Sequence, residues 1–544
     1  MISRGRVLVG LLFCGALAGC PKPQPKLPSH VIVLSLDTQR FDRLGCYGSK
    51  RPLTPAIDAL ARESVVFERC ASQASWTSPS MVSLMTGCYV AEELLAIPKE
   101  KQTLAECFEK AGWTTAGFVC NDILSPKEKF DPGFQRGFQS YAGELKPYES
   151  NAPILEWLRA HKQGKTFAWI HLNEAHDEGY AYRAQPEKDW RKYRDVRDPF
   201  SAERAQYYGE LSKTLKLSDG ETSLARMQEE TGAYDDDVRC EDHRVAEILA
   251  ELKQLGIWED TLLVLCADHG EGLFTHEQYF SGTRKKAADN GEPATLFNTL
   301  QMTHGSQVYA ELIHVPLIVH APGLSAARVA GWVENVDIAP TLLDLAGIRR
   351  LEQHQGQSLV PLLVDPKDQA ALKAAVFSHS RYNDSVIDQD SFHLIQISPV
   401  GKCDFNLENQ LYDLKTDPEE RRDLAGREAQ RAQAQSQLVA RRLREGLGGD
   451  VGPLSEDAMK ILKGLGYTDT GTVETLAARF RPRPTEELLG DIPALPGDCL
   501  TRREIAKVLE ERTLTPDQKL GIHNWLAKEG SPAVRTILER ILKK

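Results

Sequence analysis

The chain has 544 residues, 41% hydrophobic and 26% charged, enough for one large α/β domain plus one or two smaller pieces. Its formal net charge of −11 argues against a non-specific electrostatic hold on nucleic acid or anionic lipid. An anionic substrate therefore needs local help, from a metal or from a few well-placed cations.

The N-terminus reads as a processing signal. Arg4 and Arg6 precede an apolar run, Val7 to Ala18, that is too short to span a bilayer as a mature helix. The run ends in Leu17-Ala18-Gly19-Cys20, which resembles a bacterial lipoprotein signal box. The resemblance implies that Cys20 is acylated and becomes the first mature residue, on a protein anchored to the membrane of the cell envelope. Pro21 to Ser29 carries four prolines and two lysines and is expected to be an extended tether. Of eleven cysteines, nine remain once Cys14 and Cys20 are set aside. An odd count requires at least one unpaired thiol, and the spacings show no zinc pattern.

Short apolar runs at Val31–Leu36, Thr114–Val119, Phe167–Leu172, Leu262–Cys266 and Pro316–His320 read as buried parallel strands. Helix signals fall between them. Thr54-Pro55 opens a helix through Ala61, with proline in the first turn where a missing N–H costs nothing. Val245–Leu255 shows helical spacing, and Asp337 starts a helix over Ile338–Leu345. The alternation predicts an open, mostly parallel sheet covered on both faces, with ligands at the carboxyl ends of its strands. Ser201–Glu230 is polar and helix-prone, as in a surface insertion, and Glu277–Met302 reads as a long loop. Shorter strands, Ala375–Ser378 and His393–Ile397, indicate a small α+β subdomain after Leu351. Beyond Gly426 the chain is mostly helical. Arg481–Pro484 reads as a linker, and helix starts at Thr501, Thr515 and Ser531 predict a tail bundle.

Strand ends point to the chemistry. Asp37 follows the first apolar strand, and Asp268-His269 follows another. Two carboxylates and an imidazole at one sheet edge make a plausible divalent-metal site. Thr77-Ser78-Pro79-Ser80 opens a helix whose unpaired N–H groups favour an anion. A hydroxyl there, beside a metal, can be deprotonated and attack phosphorus or sulfur. Taken singly, Thr77 reads equally as a helix cap, and His176 as a hydrogen-bonded loop histidine.

Ser35 to Gly48, with Leu36-Asp37-Thr38-Gln39-Arg40 at its head, and then Thr54-Pro55 to Ala61, resemble the opening of the sulfatase family of the alkaline-phosphatase superfamily. Thr77-Ser78-Pro79-Ser80 through Gly87 resembles its nucleophile motif, and Ala267-Asp268-His269-Gly270-Glu271 its metal motif. His304-Gly305, Val315-Pro316-Leu317-Ile318, Asp337 to Asp344 and Leu411-Tyr412-Asp413-Leu414 match later stretches in the family's order. The resemblance implies a sulfatase-like, mostly parallel sheet sandwiched by helices, with a small C-terminal α+β subdomain and a helical tail. It divides the chain into a signal peptide (1–20), tether (21–29), catalytic domain (30–350), small subdomain (351–425) and helical extension (426–544).

The same resemblance implies Asp37, Asp268 and His269 as ligands of one divalent ion, whether calcium, magnesium, manganese or zinc. It puts Thr77 at the nucleophile, His176 and His304 at the anionic group, and His276 and Arg40 among substrate-binding residues. The implied partner is a small-molecule, glycan or lipid ester. Two positions depart from the family pattern. Sulfatases carry Cys or Ser at the nucleophile, converted to formylglycine, with a basic residue four positions on; here those positions hold Thr77 and Met81. The second acid of the usual adjacent pair is replaced by Thr38. A direct threonine alkoxide therefore fits better, as in phosphodiesterase and phosphotransferase relatives. The other reading is a catalytically silent binding protein.

Overall fold

The computed structural model describes residues 25–445 apart from 91–93, 128–129, 144, 146–150, 177–191, 194–199, 218–219, 278–294, 301, 381 and 398–407. Beyond them it describes 484–543, apart from 486–487, 490–504, 507 and 529–531. The lipobox with Cys20, the Arg481–Arg483 part of the linker and the helix start at Thr501 lie outside the described residues.

Eight strands make the main sheet: β1 (His30–Leu36), β2 (Val65–Ala71), β3 (Thr114–Val119), β4 (Ser140–Ala142), β5 (Thr166–Leu172), β6 (Thr261–Ala267), β7 (His314–His320) and β8 (Ala327–Glu334). Their order is β4-β3-β5-β1-β6-β7-β2-β8. β1, β5 and β6 are buried at every position, as strands covered on both faces must be. Their unbroken apolar runs are what made them readable. β1 pairs parallel with β5 and with β6 along its whole length, which sets the ends Leu36, Leu172 and Ala267 side by side.

One expectation is corrected. Pro316–His320 belongs to β7, which runs antiparallel to both β6 and β2. Apolar periodicity reports burial and is blind to direction. Pro316 has no N–H to give the ladder, and the register of β2 shifts between Phe67 and Cys70 opposite it. The reversal has a consequence for the site. The entry end of β7, rather than its exit, lies beside the ends of β2 and β6, so residues leading into His314 reach the same sheet edge as Asp37 and Asp268.

Helix α1 (Pro55–Ala61) begins at proline as expected, and Asp242 accepts from Ala56 N and Ile57 N at its open end. Helix α2 (Thr77–Thr86) is buried along its whole length. Helix α3 (Gly220–Gln254) is far longer than the spacing of Val245–Leu255 suggested. Its middle turns carry acids and arginines, yet Tyr234, Asp235, Asp237, Glu241 and Arg244 are buried. Paired charges concealed a buried helix face from a hydrophobic pattern.

The small subdomain is a four-stranded antiparallel sheet of β9 (Ala375–His379), β10 (Asn383–Asp388), β11 (Phe392–Ile397) and β12 (Gln410–Asp413), ordered β12-β11-β10-β9. Glu334, at the end of β8, fastens it by accepting from Phe377 N at 2.8 Å and Lys373 Nζ at 2.6 Å. In the tail, helices Pro516–Lys528 and Pro532–Lys543 help build a separate core of Leu488, Leu509, Ile522, Trp525 and Leu538. The Thr515–Gln518 capping box forms as expected. The seven described cysteines are free thiols, and Cys266 is a fully buried strand residue.

Candidate functional site

The first strand exits into Asp37, whose N–H still bonds Leu172 O at 2.9 Å; β6 exits into Asp268, on Leu36 O at 3.4 Å. Both carboxylates are fully buried. Asp37 Oδ2 is held by Asn121 Nδ2 at 2.7 Å and His171 Nε2 at 3.3 Å. Trp169 Nε1 donates to Ser35 Oγ, which leaves the Ser35 hydroxyl to donate to His171 Nδ1 at 2.9 Å. That chain assigns the His171 proton to Nε2, facing Asp37. Asp268 Oδ1 accepts from Thr38 N and His269 N at 3.2 and 2.8 Å. Asp37 Oδ1 and Asp268 Oδ2 have no hydrogen-bond partner among the described residues.

These two open oxygens face His269 Nε2 at 3.6 and 3.4 Å. Its other nitrogen, Nδ1, lies 2.9 Å from the Gly270 carbonyl, so the proton sits there and Nε2 presents a lone pair. Thr77 Oγ1 is 3.2 Å from the same Nε2. One ligand atom from each of Asp37, Asp268 and His269 lies within 4.8 Å of the other two. Two orphaned buried carboxylate oxygens, an imidazole lone pair and a hydroxyl form a donor set that suits a divalent cation. Gly270 lets the backbone at Glu311 pack directly against this turn: a Cβ there would meet Glu311 O at 2.0 Å.

Burial works against charge throughout the group. It pushes Asp268 well up, with Asp37 adding to the effect. For Asp37 the same burial is outweighed by His176, His171 and His269, which hold its carboxyl low. Burial also keeps His269 neutral, with its pKa well below the usual range.

Thr77 is the first residue of α2, and the preceding Trp76 has no side chain that caps the helix. The hydroxyl is therefore turned to the metal group rather than used as a cap, and first-turn N–H groups remain for an anion. His304 reaches the edge through the reversed β7. Its ring lies 4.3 Å from that of His269 and 5.2 Å from that of His176. His304 Nδ1 is 2.9 Å from Glu271 Oε2. Burial raises Glu271 to about 8 and lowers His304 to about 3, so the pair is held uncharged.

The structure thus gathers Asp37, Thr77, His176, Asp268, His269 and His304. His276 and Arg40 are instead engaged with partners of their own. His276 stacks on Tyr309 at 3.7 Å and pairs with Glu311 at 2.7 Å, in a second group with Glu420. Every guanidinium nitrogen of Arg40 donates within the protein, to Asp42, the Glu271 and Gly272 carbonyls and Thr275.

A model of the sulfatase family matches residues 29–348, more than half of the chain. The chain belongs to the sulfatase family. A second model, the C-terminal region of N-sulphoglucosamine sulphohydrolase, matches residues 304–446 and so covers the small sheet. An ulvan-active sulfatase of Formosa agariphila is 24% identical over 65% of this chain and 68% of its own. An N-acetylglucosamine-6-O-sulfatase of Bacteroides thetaiotaomicron is 24% identical over 78% of this chain and 88% of its own. Among solved structures, a phosphonate monoester hydrolase of Agrobacterium radiobacter superposes with a TM-score of 0.56 at 17% identity, over 80% of this chain and 99% of its own.

Within this sulfatase fold, Met81 is fully buried in the apolar core and gives the nucleophile no cation. The reading of the sequence passed over Asn121, His171 and Glu271 as working residues. Asn121 follows β3 and could have been found from its strand-end position alone. His171 lies inside the Phe167–Leu172 strand run and Glu271 inside the metal motif, but nothing local separates a residue that supports a ligand from one that is merely adjacent.

Proposed function

We propose that this sulfatase-family hydrolase cleaves a sulfate or phosphate ester by direct attack of the Thr77 hydroxyl, at one divalent metal held by Asp37, Asp268 and His269. The observation that carries it is the placement of Thr77 Oγ1 3.2 Å from His269 Nε2, beside two carboxylate oxygens without partners among the described residues. A divalent ion held by these three residues would acidify the hydroxyl and offset negative charge on the ester. Thr77 gives its hydroxyl proton to solvent, its Oγ bonds to sulfur or phosphorus, and the S–O or P–O bond to the bridging ester oxygen breaks, so that the alkoxide leaves. His176 supplies the proton that the departing alkoxide takes, and neutral His304 steadies the anionic group. Water then displaces the group from Thr77, releasing the inorganic anion and restoring the hydroxyl. Asn121 and His171 hold Asp37 in position throughout.

Threonine in place of Cys or Ser, with Met81 in the core, favours an alkoxide over formylglycine and supports phosphate esters or phosphoryl transfer as the second reading. The names of the relatives support a sulfated sugar as the sulfate-ester substrate. The leader supports anchoring through acylated Cys20 at the cell envelope, a reading that release of a Cys20→Ser protein from the membrane fraction tests.

The deciding assay compares nitrophenyl sulfate, phosphate monoester and phosphate diester with a panel of divalent metals. Metal-dependent turnover that disappears in Thr77→Ala supports the reading, and the preferred ester selects between its two forms. Turnover that persists in Thr77→Ala removes it. Silence on all three esters favours a binding protein without catalysis.

A further inference from the structure

Helix α3 brings a carboxylate to this site that the ligand set above does not use. Glu241 is fully buried, and neither of its oxygens has a hydrogen-bond partner among the described residues. Its helix neighbours define where it stands. Tyr234, two turns earlier, donates to Thr38 O at 2.7 Å and accepts from Arg40 N at 3.0 Å. Arg244, one turn later, pairs with Glu174 and donates to Asn151 Oδ1 at 2.9 Å. Residues seven and three apart share a helix face. Glu241 therefore stands between the loop that leaves Asp37 and the turn that carries Glu174 and His176.

Its surroundings are short of positive charge. Burial, then Glu174 and Asp37, push the Glu241 carboxyl well up, and Asp268 adds to them against Arg244. Arg244 hydrogen-bonds Glu174 and Asn151 rather than Glu241. Buried carboxylates are ordinarily paired, hydrogen-bonded or bound to metal. Asp37 and Asp268 hold open oxygens at the strand ends, and Glu241 stands on the neighbouring face of α3, outside their 4.8 Å ligand group but within electrostatic reach of both.

We propose that Glu241 belongs to the anionic surround of the Asp37–Asp268–His269 site and sets how tightly that site holds a divalent cation, which couples α3 to metal loading. The inference rests on the metal-dependent reading above.

The test is calorimetric titration of the full-length protein in detergent with Mn²⁺ and with Ca²⁺, alongside thermal melts with and without each ion. Glu241→Gln keeps the shape and removes the charge. It is expected to weaken binding of at least one ion tenfold or more, while the metal-free melting temperature holds or rises because a buried unpaired acid is gone. Asp235→Asn, on the same helix but paired with Arg43 and Arg51, is expected to lower the melting temperature and leave metal affinity unchanged. Wild-type affinity for both ions in Glu241→Gln overturns the inference alone. Equal weakening by Asp235→Asn also overturns it, since the effect is then helix packing. A wild-type protein that binds neither ion overturns both this inference and the metal-dependent reading.

Discussion

Among the described residues, two buried groups of histidines and carboxylates look alike by composition. One is Asp37, Asp268 and His269 at the strand ends; the other is His276, Glu311 and Glu420 between the large sheet and the small one. They differ in what their oxygens do. In the second group Glu311 Oε1 meets His276 Nδ1 at 2.7 Å, Glu420 Oε1 meets His393 Nδ1 at 2.5 Å, and Glu420 Oε2 takes Ala310 N–H at 2.7 Å. In the first, Asp37 Oδ1 and Asp268 Oδ2 are left open among the described residues. A cluster with its hydrogen bonds closed is a fastening; a cluster with open oxygens has room for a cation.

Substitutions should separate the two. The largest effect is expected at the open group: Thr77→Ala should lower turnover of whichever ester is cleaved by roughly 10³-fold or more, with the melting temperature nearly unchanged. Steady-state kinetics and a thermal melt on the same sample check both halves. Glu420→Ala should do the opposite. It strands His393 Nδ1 and Ala310 N–H in the interior, so a loss of about 3 kcal/mol in stability is expected, with metal affinity retained. Denaturant unfolding and a metal titration measure the two quantities, and loss of metal binding would erase the distinction drawn here.

A third test uses a half-buried histidine of neither group. His314 stacks on Phe41 at 3.6 Å, donates to Glu68 O at 3.1 Å, and is lowered by burial to about 4. The unfolded chain therefore binds a proton that the folded one refuses between pH ~6.5 and ~4. The stability contribution is fully present above that window and is lost as pH falls through it. His314→Gln should flatten this acid limb by up to about 3 kcal/mol in unfolding free energy followed against pH. The smallest effect belongs to the tail: Thr515→Ala removes a capping box and should cost about 1 kcal/mol, read as faster amide exchange in Pro516–Lys528.

Much of the fold was legible because β1, β5 and β6 are buried on both faces and so appear as unbroken apolar runs. Their ends then located Asp37 and Asp268 without any contact information. The direction of β7 was not legible, because a buried strand has the same composition either way. The buried face of α3 was hidden for a different reason: Asp235, Arg244 and Glu241 look like solvent-facing residues until their partners, or the lack of them, are known. His276 shows the limit of motif resemblance, since a site-facing histidine and one that ties two sheets together differ only in their neighbours.

The most direct measurement of the central claim is the divalent-metal content of the full-length protein, compared with Asp268→Ala and with Glu420→Ala. One ion per chain, retained in Glu420→Ala and lost in Asp268→Ala, is the expected result. An ion that survives Asp268→Ala, or that leaves with Glu420, would contradict the assignment of the open group as the metal site.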